Sequence, residues 1–359
     1  MKLFTEYQLG NTTLQNRVVM APMTRSRAID NVPNDIMAEY YGLRADGGLL
    51  ITEGVAPSPN GLGYPRIPGV FNEVQVAGWK KVADAVHAKG GKIFMQIMHT
   101  GRIGHPNNLP EGGEIVAPSA IVAKGEMWTD NEGLQPHPTP REMTVADIKQ
   151  AIQEYVQAAE NAIKAGLDGI ELHGANGYLI DQFINPGSNQ RTDDYGGSAE
   201  NRNRFVVEVA AAVVAAIGAD KVGIRLSPYG AFNDLFPFDG ADEQYIQLAA
   251  ELEKLNLVYV HLVNHSSMGA PEVPQTVIDG IRNAYSGTII YSGGYDKQSA
   301  EAILEQDDKS IVAFGRPYLA NPDLVTRLAE DAVLNEPKFD LFYTPGAEGY
   351  LDYPLLSAN

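Results

Sequence analysis

Eight short apolar runs, spread over the whole chain and separated by helix-length segments, constrain its fold more than any other feature. They are "RVVMAP" (17–22), "GGLLITE" (47–53), "GKIFMQI" (91–97), "LDGIELH" (167–173), "KVGIRLS" (221–227), "LVYVHLV" (257–263), "GTIIYSG" (287–293) and "SIVAFG" (310–315). Each is continuous rather than alternating, as parallel strands covered on both faces require. Helical periodicity fills the gaps. Residues 144–166 start with Thr144 and Asp147 in capping-box spacing, repeat apolar residues at Ile148, Ile152, Tyr155, Val156, Ala159 and Ile163, and stop at Gly166. Ser198 caps the next helix, whose Phe205, Val209, Val213 and Ile217 share a face before Gly218, and Asp296 caps another. Eight βα units predict an α/β fold, one (β/α)8 TIM barrel domain over residues 1–359. An open doubly wound sheet is the alternative, but no Gly-rich dinucleotide turn follows the first strand.

Residues 98–140, rich in Pro, Gly and Asn, are too long for an ordinary βα loop. They predict an excursion after strand 3, with a hairpin, capping the barrel mouth.

With 45 acidic against 27 basic residues, the net charge is −18. Such a surface repels phosphate backbones and anionic lipid, so neither nucleic acid nor membrane is an expected partner. An anionic ligand therefore needs a local basic pocket. The absence of cysteine removes disulfides, thiolate metal sites, iron–sulfur clusters and nucleophilic thiols together. The opening "MKLFTEYQLG" lacks the basic start and apolar stretch of a signal peptide, and a cytoplasmic location is expected.

In a barrel of this type, chemistry collects where strands end and βα loops begin. Those ends hold Pro22, Met23 and Thr24; Glu53 and Gly54; Gln96; His173 to Tyr178; Arg225; Ser292, Gly293 and Gly294; and Gly315 with Arg316. The last two loops are where such barrels commonly bind phosphate, through backbone N–H groups and a helix N-terminus. A Gly-Gly turn alone reads as a tight turn; beside Arg316, an always-charged fork, it favours a phosphate. Arg225 is a guanidinium in an otherwise apolar strand, and a buried charge must be matched. Two readings stand: an ion pair with Glu53 or another strand-end acid, or contact with a ligand edge that gains negative charge. Thr24 and Gln96 fit ligand contact or simple satisfaction of backbone groups.

"HGANGY" (173–178) is the most suggestive stretch. His173 and Asn176, spaced as on one helical turn, can point two N–H donors at a single oxygen. Such a pair stabilises negative charge developing there. Tyr178 adds a phenol, protonated at neutral pH, that can give up a proton late in a reaction. His87, His99, His105, His261 and His265 show no metal-ligand spacing, and no metal is predicted.

The stretch "HGANGYLIDQFINPGSNQRTDDYGGSAENRNRF" closely resembles the signature region of the old yellow enzyme family of FMN-dependent ene reductases. So do "RVVMAPMTRSRA", "QIMHTGR", "FGRPYLANPDL" and "FYTPGAEGYLDYP", in the family's order from about Leu3 to Pro354. The resemblance implies tightly bound FMN in a (β/α)8 barrel. Gly315, Arg316 and the Ser292–Gly294 turn match its phosphate-binding segments, and Arg225 matches the arginine beside the flavin pyrimidine. Thr24 and Gln96 match side chains bonded to the isoalloxazine, while Pro22, Met23 and Gly54 match backbone contacts. His173 and Asn176 match the pair holding the substrate oxygen, and Tyr178 matches the proton donor. Tyr64 and Tyr343 match aromatic walls of the substrate pocket.

The implied reaction uses NADPH or NADH to reduce an α,β-unsaturated carbonyl, imide or nitroalkene by hydride from flavin N5 and a proton from Tyr178. A monomer or homodimer is equally compatible with it. Many relatives carry Trp where Met98 stands beside the pocket, which bears on substrate shape. "NHSSMGAPEVP" (264–274) matches no assignable pattern. Three rivals are weighed against this reading. A dienoyl-CoA reductase needs an iron–sulfur cluster, and hence cysteine. A hydrolytic barrel would pair Glu53 with Glu171 and leaves the phosphate loops unexplained. A flavin sensor would have no need of Tyr178.

Overall fold

All eight apolar runs become strands of one closed parallel ring in the computed structural model, which describes residues 1–356. The strands are β1 (Val18–Met20), β2 (Leu49–Val55), β3 (Ile93–Ile97), β4 (Gly169–Gly174), β5 (Val222–Leu226), β6 (Tyr259–Val263), β7 (Thr288–Ser292) and β8 (Ser310–Phe314). Each lies beside its neighbours in sequence, and β8 closes on β1 with Val312 opposite Val18 and Phe314 opposite Met20. Closure rules out the open sheet and leaves no free edge.

Helices α1 (Asp35–Gly42), α2 (Glu73–His87), α3 (Val145–Lys164), α4 (Ala199–Ile217), α5 (Ala241–Lys254), α6 (Gln275–Ala284), α7 (Lys297–Gln306) and α8 (Leu324–Ala329) follow the strands in turn. Their starts are where the sequence indicates. In α3 the Asp147 N–H donates to Thr144 Oγ at 3.1 Å while the Thr144 N–H donates to the Asp147 carboxylate at 2.7 Å. Ser198 and Asp296 cap α4 and α7. The buried stripe of α3 is Ile148, Ala151, Ile152, Tyr155 and Ala159, the 3.6-residue pattern read from the chain. Among the described residues, no helix is long and apolar enough to cross a membrane.

The N-terminal end of the barrel is stoppered by a hairpin of two three-residue strands, Tyr7–Leu9 and Thr12–Leu14, too short for periodicity to reveal. Its Leu9 and Leu14 pack against Val19, Leu49, Ile51, Phe94, Tyr259, Ile290 and Ile311, an apolar floor across the ring. Tyr259 fits there because β5 carries a glycine beside it. A Cβ on Gly223 would lie 2.2 Å from the Tyr259 ring.

Two further segments frame the other end. Between β3 and α3, Glu126–Thr129 and Gly133–Pro136 form an antiparallel hairpin, and Ile103, Ala123 and Met127 pack around Leu62, Ile67 and Tyr178. After α8 the chain returns across the β1–α1 loop. Buried Arg27 donates to the carbonyls of Leu341 (2.8 Å), Gly346 (3.2 Å) and Glu348 (3.0 Å), and Arg25 to those of Phe342 (3.1 Å) and Gly349 (2.7 Å). Tyr350 stacks on Tyr40 of α1 with ring centroids 4.0 Å apart.

The Gly223–Tyr259 fit is testable. Gly223→Ala should lower stability by about 1–3 kcal/mol in urea unfolding, because a rigid ring in a packed floor cannot step aside. Combining it with Tyr259→Leu should cost less than the sum of the two single changes. Strict additivity would show that the ring is not what excludes the methyl group.

Candidate active site

At the C-terminal end of the ring the inward positions turn polar. Gln96 of β3, Glu171 of β4, Arg225 of β5, His261 of β6 and Ser292 of β7 are all buried. Gln96 Nε2 donates to Glu171 Oε1 at 2.7 Å, His261 Nδ1 meets Glu171 Oε2 at 2.8 Å, and His261 Nε2 meets Ser292 Oγ at 3.0 Å. Arg225 sits between His173 and His261 in strand register. It is only 7% exposed, yet its Nε has no hydrogen-bond partner. Burial depresses its pKa, with the Glu171 carboxylate opposing.

The ion pair of Arg225 with Glu53 does not form, and of the strand-end acids it is Glu171 whose charge acts on Arg225. Three residues of β2 span two of β3 between the Ile51–Phe94 and Gly54–Gln96 pairs, so a bulge brings Gly54 into register with Gln96. Glu53 is turned to the helix side of the sheet, where it accepts from the Arg25 N–H at 3.4 Å and from Tyr41 Oη at 3.5 Å. Burial raises its carboxyl to about 7. Glu171 faces the barrel interior, so the two carboxylates do not share a cleft and the hydrolytic pairing fails. Gly54 itself lies against Met98: a Cβ there would fall 2.6 Å from the Met98 sulfur. Met98 is 1% exposed and forms a wall with Leu62, Ile103 and Tyr178, with half-buried Tyr64 alongside.

The His173–Tyr178 segment is not helical. His173 is in the last turn of pleat of β4, and the chain then bends through Asn176 (φ 61°) and Gly177 (φ 77°) before the short helix Leu179–Ile184 begins. The helical-turn spacing read for His173 and Asn176 is therefore replaced by a left-handed turn. Gly177 is required: besides its positive φ, a Cβ would strike the Phe232 carbonyl at 2.8 Å. His173 Nδ1 accepts from the Ala175 N–H at 3.3 Å, which leaves Nε2 as the proton-bearing nitrogen. Burial, then the charges of Arg225, His261 and His265, hold its pKa well below the ordinary value, so the ring is a neutral donor. The Asn176 side-chain oxygen is buried and unpaired. Tyr178 Oη lies 3.0 Å from Tyr64 Oη, and its ring is edge-on to His173 at 4.9 Å. Burial raises the Tyr178 pKa, opposed by Tyr64 and Asn233, so the phenol keeps its proton.

Three residues that sequence reading passed over hold this turn. The Asn176 N–H donates to Ser227 Oγ at 2.9 Å, the Gly177 N–H to Asp181 Oδ2 at 2.8 Å, and Asn233 Nδ2 to the Asn176 carbonyl at 2.8 Å. Tyr245 Oη donates to the other Asp181 oxygen at 3.3 Å. Asp181 is buried, which raises its carboxyl from 3.8 to about 6. The only sequence cue was a polar residue on the buried face of an apolar helix.

The remaining predicted residues line the rim. Thr24, Pro22 and Met23 are half-buried after β1. Gly293 (φ 129°) and Gly294 (φ 80°) form a turn in which a Cβ on Gly293 would lie 2.0 Å from the Asn264 carbonyl oxygen. Arg316 is exposed at the start of the helix Arg316–Ala320, whose N-cap Gly315 offers no side-chain cap. Tyr343 is 61% exposed and tied down through its carbonyl, which accepts from Arg66 Nη2 at 2.8 Å. The Ser292 hydroxyl, before this turn, meets His261 Nε2 at 3.0 Å. An unpartnered buried guanidinium, a side-chain-free turn and an exposed arginine at an uncapped helix start fit a planar ligand with an anionic tail, as FMN is.

Residues 2–335 match the NADH:flavin oxidoreductase / NADH oxidase family. The chain is 43% identical to 12-oxophytodienoate reductase 7 of Oryza sativa subsp. japonica, over 99% of this chain and 94% of that one. Its structure superposes on morphinone reductase with a TM-score of 0.95 at 43% identity, covering 99% and 96% of the two chains. The old yellow enzyme homologue from Zymomonas mobilis gives a TM-score of 0.95 at 37% identity, covering 99% and 100%.

Asp181 generates a pH-dependent prediction. The folded protein keeps this carboxyl protonated up to about pH 6 while the unfolded chain releases it near 3.8. Between those values each pH unit therefore costs the fold about 1.4 kcal/mol. Asp181→Asn has no such penalty. Its stability relative to the parent should rise by roughly 2 kcal/mol between pH 4.5 and 7 in urea unfolding. A difference independent of pH would mean that Asp181 ionises normally.

Proposed function

The chain belongs to the NADH:flavin oxidoreductase / NADH oxidase family, that of the old yellow enzymes, and from this premise we propose that it reduces activated C=C bonds at bound FMN. Arg225, Gln96 and Thr24 would hold the flavin ring, with Pro22, Met23 and Gly54 contributing main chain. Gly293, Gly294, Gly315 and Arg316 would hold its phosphate. When bound, FMN accepts hydride from NADPH or NADH and passes it to the alkene β-carbon.

The protein's own part is polarisation and proton delivery. His173, neutral with its proton on Nε2, and Asn176, through its side-chain Nδ2, would be two donors for the oxygen of an α,β-unsaturated carbonyl, imide or nitroalkene. Hydrogen bonds to that oxygen withdraw electron density from the β-carbon and strengthen as charge builds there. Tyr178 then gives its proton to the α-carbon, and Tyr64 Oη, 3.0 Å away, stabilises the phenolate left behind. Tyr343 and Met98 bound the space for the substrate. The relatives named for 12-oxophytodienoate and morphinone support an activated alkene as substrate class. The single observation carrying the reading is the grouping of a neutral histidine with a free Nε2 donor and a buried, protonated phenol at one strand mouth, rings 4.9 Å apart, with Asn176 on the turn between them.

Titration with p-hydroxybenzaldehyde tests the oxygen site. A long-wavelength charge-transfer band on a flavin spectrum is expected, from a phenolate held by His173 and Asn176 over the ring. A flavin spectrum without the band overturns the oxygen site, and a protein that stays colourless with added FMN overturns the cofactor. Tyr178→Phe should slow cyclohexenone reduction by about 100-fold or more while reduction of the enzyme by NADPH is unchanged. Parental turnover would remove Tyr178 as donor, and a sensor without turnover would show none in either protein.

A further inference from the structure

The proposed reaction leaves a fully buried carboxylate without a task. Glu171 and His261 are both 0% exposed in a barrel interior whose lower half is filled by aliphatic and aromatic side chains. Burying such a pair is costly, and apolar residues of similar volume commonly replace it without loss of stability. Packing therefore does not explain it.

The geometry around Glu171 does. One oxygen accepts from Gln96 Nε2 at 2.7 Å and the other meets His261 Nδ1 at 2.8 Å, so both oxygens are engaged. Ser292 Oγ, 3.0 Å from His261 Nε2, holds the imidazole from the far side. In strand register Glu171 lies opposite Gly223, one inward step below Arg225. Its charge acts on Arg225, but the two make no ion pair, and the Arg225 Nε is left unbonded. The arginine is thus compensated without being occupied. A direct ion pair would occupy the guanidinium; a carboxylate one inward step below leaves its Nε unbonded.

We propose that Glu171, fixed by His261 and Gln96, is the positioning residue for Arg225, supplying the counter-charge that moderates how strongly Arg225 attracts negative charge on a bound flavin. This rests on the FMN reading above. Reduced FMN carries more negative charge beside Arg225 than oxidised FMN does. Removing the Glu171 charge should therefore favour the reduced cofactor.

The measurement is the flavin midpoint potential of the holoenzyme, by equilibration with a reference dye, together with the affinity for oxidised FMN from fluorescence quenching. Glu171→Gln should bind oxidised FMN within about threefold of the parent. It should prefer reduced FMN by a further factor of at least ten, about 30 mV upward for a two-electron couple. Glu171→Asp, which keeps the charge, should return the potential toward that of the parent. Glu171→Leu, which removes the charge and leaves an apolar side chain, should move it upward as Gln does, and serves should Glu171→Gln not fold. A Gln variant and a Leu variant that both hold FMN at the parental potential would overturn the role of Glu171 alone. Failure of the parent to bind FMN would overturn the family-based reading and this inference with it.

Discussion

Closure of β8 onto β1 is the constraint from which the rest follows. Once eight strands form a ring, every second side chain must face every other across the interior, whatever its distance along the chain. Gln96, Glu171, Arg225, His261 and Ser292 come from five strands and nearly two hundred residues of sequence, yet the ring gathers them into one polar cluster at its C-terminal end. The floor beneath is apolar, so their polar groups have only one another and the mouth as partners. The same arrangement leaves the Arg225 Nε without a partner among the described residues.

What was legible in the chain follows from the same physics. Strands covered on both faces must be continuously apolar, so all eight announced themselves, and helix caps such as Thr144–Asp147 need their residues in fixed spacing. His173, Asn176, Tyr178, Arg225 and Arg316 were visible as polar residues at the ends of apolar runs. Side-chain direction at Glu53 was not, because the bulge before Gly54 shifts the alternation without leaving a compositional mark. Asp181, four residues from its partner, was missed because the left-handed turn that brings the Gly177 N–H to it leaves no spacing signal, and Ser227 and Asn233 because their partners are backbone atoms of a turn more than fifty residues away. The same applies to Arg25 and Arg27, which bind carbonyls rather than acids, so no charged partner could be sought.

The turn bearing Asn176 and Tyr178 shows how a mobile-looking stretch is made definite. A left-handed Asn-Gly pair costs conformational energy that only its surroundings can offset. Here the loop after β5 supplies Ser227 and Asn233, and the helix Leu179–Ile184 that follows the turn supplies Asp181. Two separate elements thus fix one peptide segment. The burial that keeps Tyr178 protonated and His173 neutral comes from the same packing, so position and protonation state are set together.

The clamp of Arg25 and Arg27 on carbonyls from Leu341 to Gly349 also bears on how the molecule is made. The loop after β1 carries Pro22, Met23 and Thr24, and its two arginines find their acceptors more than three hundred residues later. During synthesis, the first strand and its loop emerge long before either β8 or the returning segment exists. Such distant pairings are slow to form, because the intervening chain must be ordered first. The earliest-made loop of the barrel mouth therefore waits for the end of the chain, and an unfinished chain carries two arginines without the carbonyls that hold them in the closed barrel.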